Sequence, residues 1–111
     1  MYKPLPPFLT VGRSHISGLG LLASRYIKKG VTLGISHLEV KHRNGFITIH
    51  RTPLGGFGNH SDFPNCDKVE DDLHGSRCWK IISNTYILEG TEVTWEYTFY
   101  SIDENEEKIR D

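Results

Sequence analysis

Residues 58–66 read Gly-Asn-His-Ser-Asp-Phe-Pro-Asn-Cys. Two amides, an imidazole, a hydroxyl and a carboxylate fall close together, with a proline near the end. Such polar density suits either a surface turn, in which Asn59 bonds to its own backbone, or a ligand-binding loop. Upstream, Ser17-Gly18-Leu19-Gly20-Leu21-Leu22-Ala23 sets two glycines two apart, where a backbone without Cβ atoms can approach a flat ligand. A dinucleotide loop needs similar glycines between a strand and a helix, but Leu21–Ile27 has β character and no βαβ unit surrounds it. A phosphate loop fails as well, because no Lys-Ser or Lys-Thr pair follows. Downstream, Glu89–Tyr97 reads EGTEVTWEY. In a strand, Val93, Trp95 and Tyr97 share one face. His15, His37, His42, His50 and His74 have no metal-binding spacing, and two cysteines, Cys66 and Cys78, make neither a zinc site nor a disulfide framework. No metal is expected.

The elements that must position these groups are short and β-rich. Phe8–Gly12, Leu21–Ile27, Val31–Ser36, Gly45–Arg51, Arg77–Ser83 and Glu92–Tyr97 are dominated by Val, Ile, Thr, Tyr and Trp. Lys28-Lys29-Gly30, Asn44-Gly45, Gly55-Gly56 and Glu89-Gly90 separate them as turns. No helical period is sustained before residue 100, and no internal repeat or linker is evident. Residues 101–111 form an acidic tail or short helix, with acids early and bases late. The 111 residues suit one small, mainly β domain, and 37% hydrophobic against 24% charged content is that of a folded chain. The net charge of −1 argues against broad nucleic-acid affinity. Lys41, Arg43 and Arg51 nevertheless stand in a stretch, Val40–Ser61, without a single acid. No run of about 18 apolar residues marks a membrane span, and the N-terminal residues lack the apolar core of a secretory signal, so a reducing cytoplasm is the expected compartment.

Three segments in order, I-S-G-L-G-L-L-A, G-N-H-S-D-F-P-N-C and E-G-T-E-V-T-W-E-Y, resemble the SET-domain protein-lysine methyltransferases. That family's patterns look like G-x-G-L-F-A, N-H-S-x-x-P-N and G-E-E-L-T-x-x-Y. The match runs from about Val11 to Tyr100, and the middle motif is the most specific. The brevity of the chain is similar to that of minimal viral and bacterial members, so host cytoplasm is implied if the source is viral. The resemblance implies a single SET domain over 1–111 with its core at about 8–100. It implies several small curved sheets around a C-terminal pseudoknot, with few short helices. The implied cofactor is S-adenosylmethionine, held by Gly18, Leu19, Gly20, Asn59, His60 and Tyr97. Tyr97 stands at the catalytic position, and Trp95, Phe99 and Tyr100 are candidates to line the substrate-lysine channel. The implied partner is a protein carrying the target lysine, met by a monomer or homodimer. The family's Tyr-x-Gly is not evident at Thr32–Ser36, Leu22 replaces a common Phe, and Trp95 is larger than the Phe or Tyr usual there.

The implied reaction is an in-line displacement by lysine nitrogen on a methyl carried by a sulfonium. The ammonium has no lone pair, and free lysine titrates near ~10.4. A narrow apolar channel disfavours the charged form, so the proton leaves on or before docking. Two other readings compete: a SET-like module that binds but does not turn over, and a small β-barrel that binds nucleic acid through Lys41, Arg43, Arg51 and nearby aromatics.

Overall fold

A computed structural model describes residues 5–96 of the chain. Among the described residues, eight strands form two small four-stranded sheets. They are β1 (Leu9–Arg13), β2 (Leu19–Ala23), β3 (Thr32–Lys41), β4 (Ile47–Arg51), β5 (Asn59–His60), β6 (Cys66–Leu73), β7 (Ser76–Ser83) and β8 (Glu92–Trp95), with one helix, α1 (Pro53–Phe57), between β4 and β5. The first sheet runs β1-β2-β8-β5 and the second β4-β3-β7-β6. Their buried apolar side chains form one cluster that includes Leu9, Leu21, Ile27, Leu33, Leu54, Ile81, Ile87, Val93 and Trp95. The chain is therefore mainly β, as its composition predicts. The C-terminal pseudoknot and the tail helix expected from the sequence fall wholly or partly on residues 97–111, which lie outside the described residues.

An internal repeat, missed by the sequence reading, organises this core. Residues 21–33 and 81–93 occupy equivalent places at an offset of 60, although only Tyr26/Tyr86, Ile27/Ile87 and Gly30/Gly90 are identical. The backbone bonds exchange in reciprocal pairs. Ile27 N–H donates to Ile87 O at 2.8 Å and Ile87 N–H to Ile27 O at 2.9 Å; Gly30 N–H donates to Ser83 O at 2.9 Å and Gly90 N–H to Ala23 O at 2.7 Å. Gly30 and Gly90 have φ of 87° and 88°, a left-handed conformation that an L side chain rarely adopts. The strand pairs follow the same rule: Leu22 opposes Glu92, and Ile82 opposes Thr32. Each half thus lends a strand to the other's sheet. Leu21/Ile81, Ile27/Ile87 and Leu33/Val93 meet as buried equivalents. Outside, the Tyr26 and Tyr86 rings stack 6.0 Å apart. Three identities are too few to show as a repeat, because hydrophobicity, not identity, is what the core holds constant.

Three other elements escaped the sequence: α1, β6 and the two-residue β5. Helix α1 spans a little over one turn, too short for a period to show. It forms because Thr52 caps it, accepting from Gly55 N–H at 3.2 Å, and Pro53 opens its first turn. Strand β6 was hidden by Asp67, Glu70, Asp71 and Asp72, poor strand formers. It forms as an edge strand whose register with β7 is continuous from Cys66↔Ser83 to Leu73↔Ser76. Cys66 and Cys78 are both buried free thiols.

After α1, Gly58 lies under the six-membered ring of Trp95, where any Cβ would overlap the ring carbons. Gly58→Ala is expected to destabilise the protein by about 3 kcal/mol, the upper end for overpacking, because the indole is itself walled in. Chemical denaturation followed by Trp fluorescence measures this, and a variant as stable as the parent refutes the packing described.

Candidate active site

The three sequence motifs converge on one carboxylate. Gly18 sits in the turn before β2 with φ of 52°, and Leu19 opens β2 with its side chain exposed. β5 runs parallel to β8, with Asn59 opposite Thr94 and His60 opposite Trp95. This places the amide–imidazole loop beside the late motif. At the junction the Glu92 carboxylate accepts from Ser14 Oγ at 2.7 and 2.9 Å, from Asn59 Nδ2 at 2.9 Å and from the His15 N–H at 3.2 Å. Asn59 Nδ2 also donates to Ser14 Oγ at 3.0 Å, and to the Ser17 and Leu19 carbonyls at 3.2 and 3.3 Å. Ser14 Oγ in turn accepts from the N–H groups of Ile16 and Ser17 at 2.8 and 3.1 Å. The glycine turn is thus tied to β5 and β8 by its own backbone carbonyls and by the side chains of Asn59, Glu92 and Ser14, the last standing just before the first motif. Gly20 makes the junction possible, because a Cβ there would strike the Glu92 carboxylate and crowd Asn59.

Partial burial by itself would raise the Glu92 pKa. The bonds from Asn59, Ser14 and the His15 amide, with the charge of His15, outweigh it and hold the carboxyl below its ordinary value. Glu92 is therefore ionised across the neutral range and acts as an acceptor.

The second asparagine of the loop has its own task. Asn65 Nδ2 donates to Glu92 O and its Oδ1 accepts from Thr94 N–H, each at 2.9 Å, so one side chain pairs with the β8 backbone as a neighbouring strand would. The polar loop at 58–66 is consequently both a turn and part of a site: Asn59 and Asn65 bind the chain to itself, while His60 stays exposed and meets Asp62 at 3.1 Å.

Gly18, Leu19, Gly20 and Asn59 are brought together, while His60 follows Asn59 on β5 with its ring bonded to Asp62. A hollow of about 450 Å³ opens beside them, lined by Arg13, Ser14, Gly18 and Leu19. Trp95 is 1% exposed, within the core and against Gly58, and its indole Nε1 is buried without a hydrogen-bond partner. Tyr97, Phe99 and Tyr100 lie outside the described residues. Among the described residues no three His, Cys, Asp or Glu side chains gather as a metal site, and no helix is long and apolar enough to cross a membrane. Ser14 and Glu92 drew no role from sequence. Glu92 stood within the quoted late motif, whereas nothing in the sequence around Ser14 marks it.

No family model and no curated protein sequence matches the chain. Among solved structures it is similar to the crystal structure of a candidate histone methyltransferase from Plasmodium falciparum. The TM-score is 0.67 over 83% of this chain and 94% of that one, at 19% identity. The two share a fold, and the mainly β arrangement of small sheets agrees with the SET-like architecture that the three motifs imply.

Glu92→Gln tests the junction. A carboxylate whose pKa is depressed by folding stabilises the protein above its unfolded pKa, and that contribution fades as pH falls through the folded value. At neutral pH the variant is expected to lose about 2 kcal/mol, the scale of hydrogen bonds to a charged acceptor. The parent then loses stability as pH falls below the ordinary carboxylate range, through the depressed Glu92 value, while the variant changes less. Parallel pH profiles in denaturant titrations count against a charged junction.

Proposed function

We propose that the protein transfers a methyl group from S-adenosylmethionine to the side-chain amine of a lysine in a protein substrate. The observation that carries this reading is the convergence of glycine turn, amide–imidazole loop and late motif on Glu92, beside an open hollow. The fold shared with a candidate histone methyltransferase supports methyl transfer as the class of chemistry.

The residues around the hollow fit the cofactor. Arg13 offers a cation to a carboxylate, Gly18 and Leu19 present backbone groups, and the exposed Leu19 side chain gives an apolar surface. When bound, S-adenosylmethionine supplies a methyl activated on a sulfonium. Asn59 then acts by holding the turn: its amide nitrogen is spent on Ser14, Ser17, Leu19 and Glu92. The exposed His60 ring, whose Nε2 meets Asp62, is assigned to cover a ligand from the β5 side. Tyr97 follows β8 by two residues, and its hydroxyl is assigned to orient the reacting groups. Orientation of two reactants is worth on the order of 7–11 kcal/mol, enough for a site with no dedicated base to act on a neutral amine. Trp95, Phe99 and Tyr100 remain the residues proposed around the lysine channel, with Trp95 acting from beneath through its packing on Gly58.

Incubation with labelled S-adenosylmethionine and a proteome extract, followed by mass spectrometry, is expected to find methylated lysines. Tyr97→Phe is expected to lower turnover about 100-fold while cofactor affinity by calorimetry stays within about twofold. Equal turnover in the variant removes Tyr97 from its role. Cofactor binding without transfer by the parent protein makes the chain a binding module.

A further inference from the structure

The second sheet carries a basic, aromatic edge far from the hollow beside Gly18. β3 and β4 are joined through His42-Arg43-Asn44-Gly45-Phe46, a turn fixed by three bonds. His42 N–H donates to Phe46 O at 2.7 Å, Gly45 N–H to His42 O at 3.0 Å and Phe46 N–H to Asn44 Oδ1 at 3.0 Å. Gly45 supplies the left-handed residue, φ 89°. The turn is thus built before any partner arrives. It holds Phe46 with 65% of its surface exposed, an unusual place for a large apolar ring.

A hollow of about 550 Å³ opens at this ring, lined by His42, Arg43, Asn44, Phe46 and Thr48. Thr48 Oγ1 lies 2.8 Å from His42 Nε2 and 2.9 Å from His50 Nε2, so both imidazoles are held on the same face as the hollow. Lys41 and Arg51 belong to the other face of the same hairpin, at Lys41↔Ile47 and His37↔Arg51. The stretch from Val40 to Ser61 contributes three fixed cations, Lys41, Arg43 and Arg51, and no acid.

The acids of this sheet do not cancel them. Asp67, Glu70, Asp71 and Asp72 stand on β6, the opposite edge, with β3 and β7 between. Counted from β4, three strand spacings put that edge about 14 Å away, beyond the screening length of roughly 8 Å at physiological salt, whereas Lys41 on β3 reaches toward it and donates to the Gly75 carbonyl at 3.1 Å. Asp71 is also paired with Lys80 at 2.7 Å, and the nearer Glu39 is paired with Arg77 at 3.2 Å. The chain's net charge of −1 therefore hides a local positive edge.

We infer that the β3–β4 edge binds single-stranded nucleic acid, with one base stacked on Phe46 and the phosphates met by Arg43 beside the ring and Arg51 on the edge strand. A rigid exposed ring beside a guanidinium is a stacking platform, and a base has the flat face that an acidic polypeptide lacks. Amide and imidazole groups at Asn44, His42 and His50 give the strand further polar contacts. This reading stands independently of methyl transfer.

The test is fluorescence anisotropy with the full chain and a labelled oligothymidylate of about 12 nucleotides. Saturable binding is expected, with log K falling against log salt at a slope of about −1.4, for two phosphate contacts on a single strand. Phe46→Ala is expected to weaken binding about tenfold at unchanged slope. Arg43→Ala is expected to reduce the slope by about 0.7. Both positions are exposed, and amide shifts in the unmodified chain, expected within residues 41–51, give a readout that needs no variant. No binding overturns the inference. So does binding indifferent to Phe46, tighter binding of duplex than of single strand, equal affinity for polyglutamate, or shifts lying elsewhere.

Discussion

One carboxylate, that of Glu92, holds the candidate site in shape. It is reached from Ser14, 78 residues away in sequence, and from Asn59, 33 away. Neither partner is next to it in the chain, so only the assembled sheets bring them within bonding distance. A carboxylate suits this junction because it accepts several bonds at once and strengthens each by its charge. Its burial costs free energy, and the cost is repaid only while the donors stay in place. The junction is therefore cooperative: glycine turn, β5 and β8 are ordered together or not at all. Gly20 is the steric condition for it, since every larger residue would displace the oxygen on which the donors converge.

The repeat of residues 21–33 in 81–93 explains where this site could arise. Both copies make the same turn, the same left-handed glycine and the same buried aliphatic contacts. The site appears where the second copy departs from the first. The position occupied by Thr32 becomes Glu92, and that of Ile35 becomes Trp95. Thr32 is an exposed strand residue, whereas Glu92 gathers the donors, and Trp95 fills the space over Gly58. The symmetric part supplies a rigid frame, and the asymmetric part supplies chemistry. An apolar core tolerates exchange of one aliphatic for another, so the frame persists through changes of identity that a polar junction would not survive.

The sequence carried the strands whose residues favour β structure, and it carried the glycine, amide and late motifs that meet in space. Six of the eight strands lie within or beside runs of Val, Ile, Thr and aromatic residues. β6 did not, because its acids are tolerated at an edge with one side in water, and edge pairing follows from the β7 partner rather than from local preference. β5, of two residues, has no period at all; it exists because Asn59 and His60 align with Thr94 and Trp95. For the site, residue types indicated which segments would assemble but not what each side chain would do. Asn59 looked like a ligand contact, yet its amide nitrogen is used within the protein. Ser14 was silent because a lone serine near a turn has many ordinary uses.

That internal use of Asn59 changes what determines ligand selectivity. With four acceptors around one amide nitrogen, the side chain has little left to discriminate among bound groups through that atom. Under the proposed function, selectivity then resides in what the network holds in place: the backbone at Gly18 and Leu19, the Arg13 cation and the exposed His60 ring. A backbone cannot be changed by substituting a side chain, but it can be moved by loosening its supports. Ser14 and Glu92 consequently govern the position of the turn, and under the proposed function they set ligand geometry without touching a ligand. The same logic holds at β8, where Asn65 fixes the backbone on both sides of Val93 and so sets the direction in which the chain leaves toward Tyr97. The polar loop works less as a set of fingers than as a splint, and the chemistry is left to the segments that it aligns.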